Sequence, residues 1–176
     1  MTRGVEEFTE PIRALLTLGG DDLRLMPLVP SAPANGPELA ELRKLETDRL
    51  FPPGEIRSRD FARCVHAGLL LYFSALDESH TISQGIHTTS GSYWHGIMHR
   101  QEGDWSNAKY WFRRVGRHPV LDQLAAESAR GWDPFDFIDR CKAAARGSGG
   151  ATGLRERQMR EWLLLMRYCH RRALAG

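Results

Sequence analysis

The sequence lacks long hydrophobic runs, although 41% of its 176 residues are apolar. Its longest apolar stretches, residues 67–73 and 162–166, are far shorter than the ~18 residues that a membrane-spanning helix needs. The opening MTRGVEEFTEP carries acidic side chains early and has no apolar core, unlike a secretory signal. We therefore expect no membrane partner, and a cytoplasmic location follows as the default.

Long basic patches are missing as well. The net charge is only +2, and every basic residue except Lys44, Lys109 and Lys142 is an arginine. In residues 155–161, RERQMRE, arginine and glutamate alternate, so no basic face forms there. A nucleic-acid-binding protein needs basic residues that are clear of acids along one face. We therefore expect no nucleic-acid partner.

Motifs that would identify a common function are absent too. The three cysteines, Cys64, Cys141 and Cys169, form no CxxC pair and are odd in number, which argues against a disulfide framework or a structural zinc site. We expect them to be buried as small apolar side chains. No GxSxG, GxGxxG or P-loop motif occurs in a suitable context. The sequence does not establish whether the protein is an enzyme.

A regular helical pattern is present behind an irregular start. Residues 1–36 predict an irregular N-terminal arm, in which LLTLGGDDLRLMPL indicates a tight hairpin of two short strands. Residues 37–176 predict a helical domain, because apolar residues recur there at helical spacing and cap residues precede prolines at helix starts. We predict a single-domain, all-α bundle of about seven or eight helices. The predicted helices cover residues 37–50, 58–76, 78–87, 91–102, 104–115, a segment from 118 on, 134–147 and 154–173.

The stretch richest in chemistry-bearing side chains is YWHGIMHRQEGDWSNAKYWFRR, residues 93–114. It resembles one tetratricopeptide-like (TPR-like) unit, in which small residues at Gly96 and Ala108 let two antiparallel helices approach and Phe112 fills the gap. No second copy follows at a fixed period. The sequence therefore predicts one TPR-like hairpin inside the bundle and no repeat array.

Residues 80–120 also resemble an uncharacterised family of small bacterial and fungal proteins, whose hallmark is YWHGIMHR-x-EGD-x-x-NAKYWFRR. The upstream HTISQ and the downstream RRVGRHPV belong to the same resemblance. It implies one folded unit with a polar centre. It implies no particular reaction, because no activity is assigned to that family.

The polar centre is a set of histidines and acids on one helix face. The hairpin register points His95 and His99 inward, where a TPR-like unit has large apolar residues, and Glu102 follows on the same face. Two imidazoles and a carboxylate are a common ligand set for zinc or iron, and His80 or His66 from an adjoining helix would complete it. The sequence therefore predicts a candidate metal site of His95, His99, Glu102 and His80.

The same residues support a second hypothesis, a catalytic or ligand pocket without a metal. His95 or His99 would act as general base or acid, oriented by Glu78, Glu102 or Asp104. A small ligand would meet amides, a phenol and a cation near the histidines. The candidate ligand-binding side chains are His80, Gln84, Arg100, Asn107 and Tyr110.

Other interpretations stay open. The histidines would alternatively form a purely structural polar core, with Asp104 and His118 as helix caps and His170 on the surface. A non-catalytic protein-interaction module is a further alternative, in which the TPR-like hairpin presents Tyr110 and the arginines that follow it to a partner. The apolar stripe of the last helix would also allow a homodimer.

Overall fold

In this computed structural model, residues 4–20, 23–129, 131–147 and 150–175 are described, and their regular structure is helical, with one 3-10 turn and no strand. No helix in these ranges is both long and apolar enough to span a membrane. The prediction of an all-α, single-domain bundle is confirmed. The α-helices of the described residues are α1 (Glu10–Thr17), α2 (Pro37–Leu42), α3 (Arg59–Tyr72), α4 (Leu76–Ser83), α5 (Thr89–Glu102), α6 (Trp105–Val115), α7 (Pro119–Glu127), α8 (Pro134–Ala145) and α9 (Ala151–Ala175).

The helices of the central stretch begin at local cap signals. Thr88 Oγ1 accepts a hydrogen bond from Gly91 N (3.0 Å) at the start of α5, and Asp104 Oδ1 accepts one from Asn107 N (3.1 Å) at the start of α6. Asp133 caps α8 in the same way, ahead of a proline in the first turn. These bonds satisfy backbone N–H groups that have no acceptor inside the helix. The predicted starts at residues 104 and 134 are therefore confirmed.

The N-terminal arm contains a helix that the sequence prediction missed. α1 occupies the residues predicted as the first strand of a hairpin, so the hairpin prediction is wrong. Ile12, Leu15 and Leu16 are all buried and lie at helical spacing, which buries one face of a helix and would not suit a strand. The predicted turn includes Asp21 and Asp22, which lie outside the described residues.

Residues 23–28 have no regular structure and are held by side chains of the helical body. Arg155 donates to the carbonyl oxygens of Leu25 and Met26, at 2.7 and 3.1 Å. Gln158 Nε2 donates to the Pro27 carbonyl at 2.9 Å. The arm is thereby fixed against α9.

The predicted helix over residues 37–50 is interrupted. α2 ends at Leu42, and a separate 3-10 turn covers Thr47–Leu50. Two contacts fix that turn: Thr47 Oγ1 lies 2.9 Å from His66 Nδ1, and the Leu50 carbonyl accepts a hydrogen bond from Thr9 Oγ1 at 2.5 Å. Both contacts join segments that are distant in the chain, so the local sequence pattern could not reveal them.

The core is built around α3, which packs against α4, α5 and α9. A Cβ atom at Gly68 would lie 2.5 Å from Met166 Sδ and 2.7 Å from the Trp94 ring, so α9 and Trp94 approach the α3 backbone closely there. Trp162 is fully buried, and its Nε1 donates to the Gly68 carbonyl at 2.7 Å. This packing holds α4 and α5 side by side.

α5 and α6 form a helical hairpin. Gly103 ends α5 with a φ of 83°, a left-handed conformation that favours glycine. A Cβ atom at Gly96 would lie 2.9 Å from the Phe112 ring, so the small residue permits the close approach of the two helices. The face of α5 that carries His95 and His99 therefore lies between α4 and α6. The likeness of this hairpin to a TPR unit stays a prediction.

Candidate metal centre

Three histidines from two neighbouring helices converge in the centre of the bundle. His80 comes from α4, and His95 and His99 come from successive turns of α5. One ring nitrogen of each lies within 4.8 Å of the other two. The ring centroids are 4.7 Å apart for His80 and His95, 5.5 Å for His80 and His99, and 4.9 Å for His95 and His99. The cluster is thus geometrically able to hold a metal ion.

The nitrogen spacing decides how much the side chains must move to share an ion. Three points that lie within 4.8 Å of one another have a common centre no more than about 2.8 Å from each, against ~2.0–2.1 Å for a zinc–imidazole bond. Each nitrogen would therefore have to move inward by less than one ångström.

The environment of His95 keeps its imidazole neutral. Its side chain is only 3% exposed, and burial, together with the neighbouring His99 and His80, lowers its pKa to about 3. Neutral imidazole is the form that binds a metal ion. The Nδ1 atom of His95 is buried and has no hydrogen-bond partner among the described residues, which is uncommon for a buried polar atom.

His99 has an orienting partner. Its Nδ1 lies 3.0 Å from Glu102 Oε2, and since a carboxylate only accepts hydrogen bonds, this nitrogen carries the proton. The lone pair of Nε2 is then free for a metal ion, as in most histidine-ligated metal sites. Glu102 is thus bonded to His99, and its predicted role as a metal ligand stays a prediction.

A second group of potential ligands consists of His99, Glu102 and Asp104. Asp104 Oδ1 accepts from Asn107 N and from Ser106 Oγ, and its Oδ2 accepts from Asn107 Nδ2 at 2.7 Å. These bonds, led by that of the Asn107 backbone N–H, lower the pKa of Asp104. The carboxylate is therefore ionised at neutral pH and acts as a helix cap, which suits neither a proton donor nor a free metal ligand. Asn107 belongs to the same cap rather than to a pocket.

Arg100 lies on a different face of α5. It is fully buried, and its Nη2 pairs with Glu161 Oε2 of α9 at 2.5 Å. Its guanidinium also stacks over the Phe137 ring, 4.6 Å from the centroid. The buried Glu161 carboxylate compensates the buried cation, and the role of Arg100 in ligand binding stays a prediction.

The remaining predicted ligand-binding residues are exposed. Gln84 caps the C-terminal end of α4, and Tyr110 is 45% exposed on α6, with the Arg114 guanidinium 5.9 Å from its ring centroid. No contact joins Gln84 or Tyr110 to the three histidines in the described residues. Besides Tyr110, the exposed large apolar side chains of these residues are Leu18 and Val29, which lie on other elements.

The sequence prediction missed Trp111 as a neighbour of the site. Its ring lies flat on His95, with centroids 3.9 Å apart and planes inclined by 16°. The predicted hairpin register contained a signal for this contact. It pairs Gly96 with Phe112, and their chain neighbours His95 and Trp111 lie on the same two facing helices.

The buried histidines outside the cluster are hydrogen-bonded. His118 Nδ1 accepts from Val120 N at 3.2 Å, which confirms its predicted cap, so its Nε2 carries the proton and donates to Ser90 Oγ at 3.0 Å. That tautomer cannot take a proton from Ser90, which excludes a Ser–His nucleophile in this state. His170, predicted on the surface, is 4% exposed and accepts from Thr9 N at 3.2 Å, so this prediction is wrong.

Glu102 also lines a surface cleft of about 370 Å³. Residues 30–33, Ser74, Ala75 and the first turn of α4 also line it. Arg43 and Glu78 form an ion pair at the edge, with Nη2 and Oε1 2.5 Å apart. Glu102, which is hydrogen-bonded to His99, would therefore also contact a small molecule bound in the cleft.

Comparison with known proteins identifies no relative. No protein-family model, no curated protein and no solved structure matches this chain. The resemblance over residues 80–120 therefore stays a prediction, and the case for the histidine cluster comes from its own geometry.

Proposed function

We propose that the protein binds one divalent transition-metal ion, most favourably zinc, through His80, His95 and His99, with Glu102 orienting His99. The observation that carries the proposal is the convergence of three imidazole nitrogens within 4.8 Å inside a helical bundle. Three imidazole ligands suit zinc, and they also suit iron, which is the second choice.

The hydrogen bonding of the other buried histidines supports this assignment. His66, His118 and His170 each have a ring nitrogen bonded to a nearby side chain or backbone N–H. His95 differs from them, because its buried Nδ1 has no such partner among the described residues. A structural polar core leaves that atom unexplained, whereas a metal ion bound at Nδ1 would give it a partner.

The proposed activity is metal-assisted chemistry on a small polar molecule. Three protein ligands leave one position of a tetrahedral zinc ion for water or a substrate, and zinc lowers the pKa of bound water to ≈7. Glu102 keeps the proton on His99 Nδ1 and so fixes the ring, while the cleft beside it has the size of a small-molecule site. Hydrolysis or hydration of a small substrate would need the open metal position to face that substrate, and of the site residues Glu102 lines the cleft.

Metal content and affinity test the proposal. Purified protein, stripped with a chelator and reloaded with Zn²⁺, should retain one zinc ion per chain by elemental analysis after desalting. His80→Gln should weaken Zn²⁺ binding by about 100-fold or more, since loss of an orienting partner alone typically costs 10–100-fold. Affinity is measured by competition with a chromophoric chelator.

His66→Gln is the matched control. His66 is a buried histidine on α3 that bonds to Thr47 and lies outside the cluster, so its loss should leave Zn²⁺ affinity unchanged. The proposal is overturned if the stripped wild-type protein takes up no zinc or iron at neutral pH. It is equally overturned if His66→Gln lowers the affinity as much as His80→Gln.

A metal-free acid–base pocket is the second candidate, and the His99–Glu102 pair favours it. A histidine held by a carboxylate is a common general-base arrangement. In that case the wild-type protein would bind no metal. His99→Gln would abolish binding of a small ligand with little change in the melting temperature.

A further inference from the structure

His95 and His99 are oriented by different means. His99 donates to Glu102, a partner that fixes both its ring plane and its tautomer. In the described residues no hydrogen bond orients the His95 ring, and its buried Nδ1 has no protein partner. A ligand ring without any orienting contact would rotate about χ2, so another interaction must hold it.

Trp111 provides such an interaction. Its ring covers one face of His95 at a centroid distance of 3.9 Å, and His99 lies against that imidazole at 4.9 Å with an interplanar angle of 26°. The indole is held in turn by Arg114, whose guanidinium carbon lies 5.3 Å from the Trp111 ring centroid. Rotation of His95 would separate it from the indole and lose this stacking.

We infer that Trp111 is a positioning residue of the metal site, which fixes the plane of His95 by stacking in place of a hydrogen bond. The inference rests on the proposed metal function. Stacking sets the ring plane while leaving its nitrogens without a protein acceptor, so the imidazole is aligned with the cluster and still free to coordinate. The indole also covers His95 on the α6 side, which leaves the half-exposed His80 side for the approach of a ligand.

Aliphatic and aromatic replacements of Trp111 separate stacking from simple filling of space. Trp111→Leu removes the flat ring, and we expect Zn²⁺ affinity to fall by about 10–100-fold, the range for loss of an orienting partner. The visible absorption of the Co²⁺-loaded protein should change, because the geometry at the ion changes. Trp111→Phe keeps an aromatic face and should restore affinity and spectrum close to those of the wild type.

Trp105→Leu is the matched control, because Trp105 lies on the same helix, is partly buried and packs against the apolar core. It should leave both readouts unchanged. If the wild-type protein binds no metal, the proposed function itself fails. If the wild type binds the metal, and Trp111→Leu has the same affinity and Co²⁺ spectrum as the wild type, only the positioning role fails. Equal losses in Trp111→Phe and Trp111→Leu would also contradict stacking.

A measurement on the wild-type protein covers the case in which Trp111→Leu does not fold. A Co²⁺ ion in the cluster should shift or broaden the indole N–H signal of Trp111 strongly, and that of Trp105 much less. Trp111→Phe assigns the signal. An unaffected Trp111 signal in the Co²⁺-loaded protein would overturn the inference.

Discussion

At the scale of single residues, the buried cation of Arg100 is matched by a buried carboxylate. Arg100 and Glu161 are both fully buried and form an ion pair, to which Tyr93 adds a hydrogen bond from its hydroxyl to Glu161 Oε1 at 3.1 Å. Burial raises the pKa of Tyr93 well above its usual range, so it remains a neutral donor. This network joins α5 to α9, and within the described residues it leaves Nε and Nη1 of Arg100 without a hydrogen-bond partner.

Removing one member of that pair should destabilise the protein strongly. Arg100→Met leaves the Glu161 carboxylate buried without its cation, and we expect the free energy of unfolding to fall by about 3–5 kcal/mol. The double variant Arg100→Met/Glu161→Gln, which keeps an acceptor for Tyr93, should recover most of the loss. Urea unfolding measures the stability of the single and the double variant. An Arg100→Met protein as stable as the wild type would contradict the role of the pair.

At the scale of elements, the α5–α6 hairpin positions the site. The separation of the two helices is set where Gly96 faces Phe112, and this spacing brings Trp111 onto His95. A side chain at Gly96 would push the helices apart and displace the indole. Stability and metal binding should therefore respond together to this position.

Gly96→Ala tests the close approach. The new Cβ would lie 2.9 Å from the Phe112 ring, and we expect a loss of about 1–3 kcal/mol in the free energy of unfolding, as for other overpacked contacts. Gly153→Ala is the control, since Gly153 lies in α9 with open space around a Cβ, and alanine should stabilise there by up to about 1 kcal/mol. Equal effects of the two substitutions on thermal unfolding would argue against a tight hairpin contact.

The sequence encodes the local part of the site and not its long-range part. The spacing of His95 and His99 places them on one helix face, and the caps at Thr88 and Asp104 define where α5 and α6 begin. The partner of Arg100 lies 61 residues away on another helix, and no local pattern links the two. The sequence offered His80 and His66 as alternatives for the third histidine of the cluster. Only the packing of α4 against α5 decides in favour of His80.

At the scale of the whole molecule, buried neutral histidines should make stability depend on pH. Burial lowers the pKa of His118 and of His170 to about 4, and Arg171 contributes to the shift of His170. Their pKa in the unfolded chain is ~6.5. Between these values the unfolded chain binds more protons than the folded protein, so stability is full above pH 6.5 and declines as the pH falls toward 4.

Urea unfolding of the metal-free protein at pH 7, 6 and 5 measures this dependence. Over the full window each of the two histidines should remove up to about 3 kcal/mol from the free energy of unfolding. His118→Asn, which offers one acceptor and one donor, should flatten the decline. A stability that stays constant from pH 7 to pH 5 would contradict the buried neutral state of these rings.

The central claim is that three particular histidines bind one metal ion, and nitrogen-15 NMR of the imidazole rings tests it most directly. The protein has seven histidines, whose rings are assigned with single His→Gln variants. On addition of one equivalent of Zn²⁺, we predict metal-bound nitrogen shifts for His80, His95 and His99 and unchanged shifts for the other four. No change in these three rings at one equivalent, or equal changes in His66 or His87, would contradict the account.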